Sequence, residues 1–422
     1  MQRFFSNAPL MQRKYFYVIL PSFIGSVIAY LDRINIAYAA LTMNADLGFS
    51  ARVFGMGAGI FFFGYVLFEV PGAVFAEKWS PRAWIARIMI TWGLVSCCMP
   101  LVTNEWQFYI VRFLLGAAEA SFYPVVYASV IPRWFTPEER PRAIALMLTS
   151  LQISAIIGSP LAGWMLGISL FGLRGWQLLF VMEAIPAVLF GILIVFWLED
   201  RPDSAKWLTR EEKEGLQRQF EMERARKSAT EHYTVLRALR DREVLKLCFI
   251  YFLWITGYWG FNYWMPTVLK EVSGLSDMQI GWLIVIPMAL SLAIMLYIGH
   301  SSSKTGEKRW HGAVPVFMGA VGMCAGAFIQ DPLVNFLFVC VTAVGVFGAF
   351  GVWWSYPTSF LSGAAAAGAV GLINSFGNIG GYLGPYLIGF IKDFSGSFRW
   401  AYVYLAFSLA VSGILMLTLK KK

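Results

Sequence analysis

Residues 176–198 read WQLLFVMEAIPAVLFGILIVFWL, a run of 23 residues in which Glu183 is the only charged side chain. A transmembrane α-helix needs about 20 predominantly apolar residues to cross the hydrocarbon core of a bilayer. The run therefore predicts a membrane-spanning helix. It is followed by segment 199–246, which holds 12 lysines and arginines and 11 aspartates and glutamates.

The composition of the whole chain agrees with this run. Of its 422 residues, 58% are hydrophobic and 14% are charged, and the mean hydropathy is +0.60. So little charge could not cover the surface of a soluble protein of this size, which excludes a soluble enzyme, a disordered chain and a secreted disulfide scaffold. The net charge of +9 does not indicate nucleic-acid binding, because the lysines and arginines occur in short groups between apolar runs rather than on one basic face.

Twelve apolar runs divide the chain into two sets of six. The first set lies near residues 15–40, 53–76, 83–103, 106–131, 142–169 and 176–198, and the second near 245–270, 279–299, 312–330, 333–357, 367–391 and 399–419. We therefore predict an all-α membrane protein of twelve transmembrane helices in two pseudo-symmetric halves. The N-terminal half is 1–198, a cytoplasmic linker is 199–244, and the C-terminal half is 245–422. Within the linker, charge alternation at helical spacing predicts a helix from Thr209 to about Lys227.

The distribution of basic residues predicts the orientation. If the N-terminus is cytoplasmic, the loops and termini on that side carry 27 lysines and arginines and the other side carries five. Cytoplasmic loops are enriched in lysine and arginine. We therefore expect both termini to lie in the cytoplasm, in a multi-pass protein of the plasma membrane, which in a bacterium is the inner membrane.

The loops after spans 2 and 8 resemble each other. One reads Gly72-Ala-Val-Phe-Ala-Glu77-Lys78, and the other reads Gly299-His-Ser-Ser-Ser-Lys304-Thr-Gly306. Both resemble the signature of the major facilitator superfamily, whose usual aspartate is Glu77 in the first loop and Ser303 in the second. A loop repeated six spans later is the pattern of a six-helix duplication, as in transporters built from two halves around a midplane site.

Six further stretches carry a more specific resemblance. They are Tyr30-Leu-Asp32-Arg33-Ile-Asn-Ile-Ala, Gly64-Tyr65-Val-Leu-Phe-Glu69-Val-Pro71, Arg112-Phe-Leu-Leu-Gly116-Ala-Ala-Glu119-Ala, Trp134-Phe-Thr-Pro-Glu-Glu-Arg140, Glu183-Ala-Ile-Pro186 and Asn374-Ser-Phe-Gly377-Asn378-Ile-Gly-Gly381. Together they resemble the anion:cation symporter family within that superfamily. The resemblance implies that Asp32 and Glu119 are protonation sites and that Arg33 anchors a substrate carboxylate.

Charged residues inside the predicted spans are the main candidates for function. They are Asp32, Arg33, Glu69, Arg112, Glu119 and Glu183. A charge near the bilayer centre costs at least about 2.5 kcal/mol, so each must face a cavity or a partner. Arg112 and Glu119 are seven residues apart and share a helix face, with about 10 Å of rise between them. A fixed cation beside a titratable acid is the arrangement that an anion and proton site needs. We therefore expect Arg112 to bind the substrate or to tune Glu119. The alternative to a functional site is a network of salt bridges that only joins helices. For Glu69 and Glu183, which lie near prolines, the alternative is a carboxyl group at a helix bend.

Polar and aromatic residues of other spans are further candidates for the substrate site. They are Tyr65, Gln152, Tyr258, Asn262, Trp353, Trp354, Ser355, Asn374 and Asn378. Tyr258 and Asn262 are four residues apart, as are Asn374 and Asn378, so each pair lies on one helix face. Amides in a membrane also join helices, and tryptophan near a span end also anchors the interface.

These residues predict proton-coupled import of a small organic anion, a sugar acid or hydroxy acid, by alternating access. The partners are then the anion, protons and the lipid bilayer, and we expect a monomer.

The sequence has no P-loop, nucleophile motif or metal-ligand cluster, so we expect no enzyme activity, no metal and no cofactor besides the coupling proton. A proton-coupled exporter is the alternative, since Gly158-Ser-Pro160 and Gly384-Pro385 partly resemble the span-5 signature of drug antiporters. A membrane sensor without transport is the third possibility.

Overall fold

The computed structural model describes residues 8–228, 241–356 and 363–419. Predictions that fall on other residues, including the last residue of the run 333–357, lie outside the described residues. We number the long helices in chain order. They are α1 Leu10–Leu47, α2 Ala51–Lys78, α3 Pro81–Leu101, α4 Glu105–Trp134, α5 Arg140–Leu166, α6 Gly175–Trp197, α7 Arg242–Ser273, α8 Asp277–Thr305, α9 Arg309–Gly326, α10 Pro332–Trp353, α11 Gly363–Ser395 and α12 Phe398–Leu417.

The predicted twelve-helix architecture is confirmed. In the described part of the chain, ten of these helices are long and apolar enough to cross a membrane, and α9 and α11 occupy the two remaining predicted spans. The ends of several helices lie beyond the predicted apolar runs, because a helix continues past the hydrocarbon core until a cap stops it. Thus α1 runs to Leu47 and ends at Gly48, and α7 runs to Ser273 and ends at Gly274, both glycines being left-handed at φ 68° and 65°. Glycine adopts this conformation without steric cost.

Helix α4 is broken directly after Glu119. Its first regular segment is Glu105–Glu119, and Ser121 then adopts a left-handed conformation at φ 73° before the helix resumes. A residue other than glycine in this region costs about 1 kcal/mol or more and is held by its surroundings. Here the indole N–H of Trp84 on α3 donates to Ser121 Oγ at 3.0 Å. The break places Glu119 at the end of the first segment, where its side chain is buried.

The two halves meet along α1 and α7, α2 and α11, and α5 and α8. Glycines allow the closest approaches: a Cβ added to Gly55 of α2 would lie 2.4 Å from the carbonyl oxygen of Pro385 on α11. At the start of α2, the backbone N–H groups of Ala51 and Arg52 donate to the Asp393 carboxylate of α11 at 3.2 and 2.9 Å. The halves are therefore in contact at the face that carries the α1–α2 loop, which we call the far face.

The opposite face carries the linker, and we call it the linker face. The linker contains a helix at Arg210–Ser228, within one residue of the predicted bounds. This helix is fixed to the N-terminal half: the buried Arg13 guanidinium pairs with Glu212, and Arg140 forms a two-pronged pair with Glu223 at 2.8 Å for each N–O distance. The sequence predicted a solvated helix, and the described contacts show that it is also docked.

Candidate functional site

Arg33 on α1 and Glu119 on α4 form a buried salt bridge at the centre of the N-terminal half. The side chain of Glu119 is 1% exposed and that of Arg33 is 9% exposed. One carboxylate oxygen of Glu119, Oε2, and one guanidinium nitrogen of Arg33, Nε, have no hydrogen-bond partner among the described residues. The pair therefore keeps unused hydrogen-bonding capacity, although it lies away from water.

Aromatic rings surround the Arg33 guanidinium. Its Cζ atom lies 5.0 Å from the ring centre of Tyr65, 5.3 Å from Phe61, 5.5 Å from Tyr123 and 5.8 Å from Trp259. Trp259 belongs to α7, so the C-terminal half contributes one of the four rings. A cation over an aromatic face gains about 2 kcal/mol or more when it is desolvated. These rings hold the charge of Arg33 at membrane depth and leave it facing the space between the halves.

Arg112 is placed differently from the sequence expectation. Its side chain is fully buried and Nε donates to the Gly57 carbonyl oxygen at 3.2 Å. Its Nη1 and Nη2 atoms have no hydrogen-bond partner among the described residues. Glu119 forms its ion pair with Arg33 instead, because seven residues along a helix put about 10 Å between Arg112 and Glu119. Arg112 acts on Glu119 at a distance, and its electrostatic neighbours also include Asp32.

Asp32 is fully buried and does not line the cavity between the halves. Its Oδ1 atom accepts hydrogen bonds from Ser96 Oγ at 2.8 Å and from Asn35 Nδ2 at 3.4 Å. The two predicted protonation sites therefore have different partners: Asp32 contacts Ser96 of α3, and Glu119 pairs with Arg33. The two carboxyl groups still interact electrostatically.

A cavity of about 120 Å³ lies between the halves and contains the predicted anchor. Six of the predicted substrate residues line it, namely Arg33, Tyr65, Tyr258, Trp354, Asn374 and Asn378. Four further tyrosines line it, namely Tyr30, Tyr123, Tyr127 and Tyr251, and the sequence analysis did not propose them as substrate residues. Tyr30 precedes Arg33 by three residues and so shares its helix face, a signal that was available in the sequence. The hydroxyl groups of Tyr30 and Tyr258 are 2.5 Å apart and join α1 to α7.

Four other predicted substrate residues do not line this cavity. Gln152 Nε2 contacts Met295 Sδ at 3.5 Å, between α5 and α8. Asn262 Nδ2 donates to the Tyr258 carbonyl oxygen of its own helix at 2.8 Å. The remaining two lie at the end of α10 and directly after it: Trp353 stacks on Tyr251, and Ser355 Oγ donates to the Val352 carbonyl oxygen at 2.7 Å. Local hydrogen bonds and ring packing orient these side chains away from the cavity, which spacing along the chain does not reveal.

Glu69 is a cavity residue rather than a carboxyl at a helix bend. Its Oε1 atom accepts from Asn374 Nδ2 at 2.6 Å, and its Oε2 atom accepts from Asn378 Nδ2 at 3.1 Å. The carboxylate comes from α2 and the amides come from successive turns of α11. The predicted amide pair therefore lies on one helix face, and that face contacts the other half of the protein.

Comparison with known proteins places this geometry in a family. The sequence profile described as Major Facilitator Superfamily matches residues 22–385. A candidate tartrate transporter of Agrobacterium vitis is 42% identical over 93% of this chain and 90% of its own length. The quinolone resistance transporter of Acinetobacter baumannii is 38% identical over 88% of this chain and 86% of its own.

A solved structure shares the fold. The inward open conformation of the xylose transporter XylE from E. coli superposes with a TM-score of 0.76 over 98% of this chain and 97% of that chain. The two sequences are 14% identical, so this likeness concerns the fold alone.

Proposed function

Because the chain belongs to the Major Facilitator Superfamily and is a multi-pass membrane transporter, we propose that it imports a small organic anion together with protons. The substrate in this proposal is a carboxylate, namely a sugar acid or hydroxy acid. Transport proceeds by alternating access, with the monomer as the working unit. Both termini face the cytoplasm in this proposal, as the 27 to 5 distribution of basic residues predicts.

The position of Arg33 carries the proposal. A guanidinium buried at a cavity between two halves, with an unpaired Nε atom, is a binding group for a carboxylate. Arginine recognises carboxylates through two parallel N–H donors, and such bonds are strong because both partners are charged. A substrate carboxylate competes with Glu119 for the same guanidinium.

This competition supplies a mechanism for coupling. When Glu119 is protonated it no longer neutralises Arg33, and the guanidinium is then available to the substrate. When Glu119 loses its proton, it takes Arg33 back and the substrate leaves. Asp32 forms no hydrogen bond or ion pair to Arg33 among the described contacts, so in this mechanism it binds its proton at a separate place.

The polar lining supports a hydroxylated acid. Six tyrosines and two asparagines line the cavity beside Arg33, and their hydroxyl and amide groups are donors and acceptors for substrate hydroxyls. The relative named for tartrate transport is consistent with a hydroxy acid as cargo.

Uptake by proteoliposomes tests the proposal. We expect the purified protein, with an inward proton gradient, to accumulate at least one labelled acid from a panel of gluconate, tartrate and benzoate. Collapse of the gradient by a protonophore should abolish accumulation. Absence of uptake for the whole panel, in vesicles where the protein is folded and inserted, would contradict import of these carboxylates.

Export of an organic compound in exchange for protons is the second candidate, and the quinolone resistance transporter among the relatives favours it. The buried arginines at the site disfavour a cationic drug, because desolvated like charges repel strongly. Inside-out vesicles loaded with protons distinguish the two candidates, since an exporter would concentrate norfloxacin in them and an anion importer would not.

A further inference from the structure

Arg87 of α3 lies on the outer surface of the helix bundle. Helix α3 packs on α6 and α4, which leaves one side of it uncovered. Trp84, Arg87, Thr91 and Leu94 follow one another at helical spacing on that side, and Leu94 is 57% exposed. An exposed apolar stripe on a membrane-spanning helix is a surface for lipid acyl chains, so Arg87 belongs to the lipid-facing side of α3.

The depth of Arg87 in the membrane follows from the length of α3. This helix has 21 residues and is scarcely longer than the hydrocarbon core of about 30 Å. Arg87 lies six residues after Pro81, the first residue of α3, and so about 9 Å from its linker-face end. A charged side chain at this depth is rare and is almost always paired.

The guanidinium group points toward the lipid headgroups at the linker face. Its Cζ atom lies 4.0 Å from the ring centre of Trp84, which is one helical turn closer to that face. A long basic side chain keeps its stem along apolar surface and turns its charge toward the interface in this way. The phosphate groups of the lipids lie at that interface.

Arg87 has few partners within the protein. Its Nη1 atom donates to the Ala118 carbonyl oxygen of α4 at 3.5 Å, and its buried Nε atom has no hydrogen-bond partner among the described residues. The described ion pairs give it no carboxylate, whereas Arg82, five residues earlier, pairs with Glu199. Because a guanidinium carries several N–H donors, most of those of Arg87 are available to an acceptor from outside the protein.

Aromatic side chains of α2 border the Arg87 guanidinium at the linker face. The ring centre of Phe75 lies 4.9 Å from that of Trp84, and the ring centre of Trp79 lies 6.4 Å from it. Phe75 and Trp79 are both exposed, and so is the basic residue Lys78 between them. Tryptophan is enriched at the level of the lipid headgroups, which agrees with the position inferred for the Arg87 guanidinium.

We propose that Arg87 binds the phosphate group of an anionic phospholipid in the leaflet at the linker face. Arginine binds phosphate through two parallel N–H donors, and the acyl chains lie along exposed Leu94 of α3 and exposed Leu114 of α4. A phospholipid suits this site better than a soluble phosphate, because the charged group adjoins a lipid-facing apolar stripe. In the proposed orientation this is the cytoplasmic leaflet, whose anionic lipids attract basic residues. Lipid binding itself does not rest on the proposed function.

Lipid binding is measured on the purified full chain in detergent, without substrate. Titration with phosphatidylglycerol and with phosphatidylcholine, followed by native mass spectrometry, gives the two affinities. Thermal unfolding compares phosphatidylglycerol with sodium phosphate at the same phosphate concentration, which separates a lipid from a soluble anion. The variant is Arg87→Gln. Arg142→Gln is the control, because Arg142 is an exposed arginine near the start of α5 at the same face.

We expect the wild type to bind phosphatidylglycerol at least about fivefold more tightly than phosphatidylcholine, the effect of one basic residue on an anionic lipid. Arg87→Gln should lose most of this preference, and Arg142→Gln should keep it. Phosphatidylglycerol should raise the melting temperature of the wild type, and sodium phosphate should not. Phosphatidylglycerol with a diazirine group near the head of an acyl chain should label peptides within residues 75–94 of the wild type.

The wild type alone can overturn the proposal, even where Arg87→Gln fails to fold. Equal affinities for the two lipids, or diazirine labels confined to other helices, would do so. Equal losses in Arg87→Gln and Arg142→Gln would also overturn it, since they would reflect general attraction to a basic surface. Stabilisation by sodium phosphate as large as that by phosphatidylglycerol would replace the lipid with a soluble anion. None of these measurements involves uptake, so the proposed function fails or stands separately.

Discussion

Glu69 on α2 accepts a hydrogen bond of 2.6 Å from Asn374 on α11, so a single carboxylate joins the two halves of the protein at the edge of the cavity. The second bond, from Asn378 at 3.1 Å, comes from the next turn of the same helix. The far-face contacts lie at the other end of the same pair of helices, where Asp393 accepts from the first residues of α2. Two sets of contacts between α2 and α11 therefore stabilise the conformation that is closed at the far face: the Asp393 contacts at one end and the Glu69 contacts toward the other.

Weakening the Glu69 contact should favour opening at the far face. Glu69→Gln keeps the shape but replaces one anionic acceptor with an amide donor, and hydrogen bonds to charged groups are worth about 1.5 to 3 kcal/mol. We expect maleimide labelling of a cysteine introduced by Ala51→Cys to become about tenfold faster. Glu77→Gln is the matched control, because Glu77 pairs with Arg133 inside the N-terminal half. Equal labelling rates in the Glu69 and Glu77 variants would refute this role.

Arg33→Lys should weaken substrate binding by at least about tenfold without unfolding the protein. Lysine keeps the positive charge but loses the planar fork that binds a carboxylate. Thermal-shift titration with a transported acid measures the affinity. Arg52→Lys is the control, because it replaces a guanidinium at the far face, away from the cavity, and should leave the affinity unchanged. Wild-type affinity in Arg33→Lys would mean that Arg33 only holds Glu119 in place.

Glu119→Gln should separate exchange from accumulation. Glutamine imitates the protonated acid, so Arg33 stays available to the substrate and counterflow of labelled substrate should continue. Accumulation against a gradient should fall to the level without a proton gradient, because the step that releases the proton is absent. Both activities are assayed on the same reconstituted variant. If accumulation persists, the coupling proton binds elsewhere; if binding is lost as well, Glu119 is needed for the site itself.

The docking of the linker helix should depend on pH. Partial burial is the largest single influence and acts to raise the pKa of Glu212. The hydrogen bonds from Thr209 and Arg13 and the charge of Arg13 together outweigh it and hold the pKa below its usual value. Because the pKa of Glu212 is lowered in the folded protein, its ion pair with Arg13 is fully present above the ordinary glutamate pKa of about 4.3. The ion pair is lost as the pH falls through the lower pKa of the folded protein. We expect faster tryptic cleavage of the linker in Glu212→Gln at pH 7, with uptake near normal.

Glu214→Gln is the control for the linker, because Glu214 is more exposed and pairs with Arg210 on the same helix. Exposed pairs of this kind contribute about 0.3 to 0.5 kcal/mol. Cleavage rates that rise equally in both variants would show that the Arg13 pair does not hold the linker helix. A large loss of uptake in Glu212→Gln would instead make the docked helix part of the transport cycle.

The sequence was sufficient for the membrane helices and for the list of candidate groups. Hydropathy is a local property, and a run of about 20 apolar residues has essentially one stable form in a bilayer. The same rule makes each charged residue inside a run exceptional, which is how Arg33, Glu119 and Glu69 were found. The amide pair Asn374 and Asn378 followed from helical spacing alone.

Only the tertiary structure decided which groups meet. Helix packing brings Glu119 to Arg33 rather than to Arg112, and it places Asp32 beside Ser96 of α3. Spacing along one helix fixes a face, but the partner of that face depends on how helices distant in sequence pack and where they bend. For that reason the sequence determined the inventory of buried charges, and the packing of α1, α3, α4 and α11 determined the pairs.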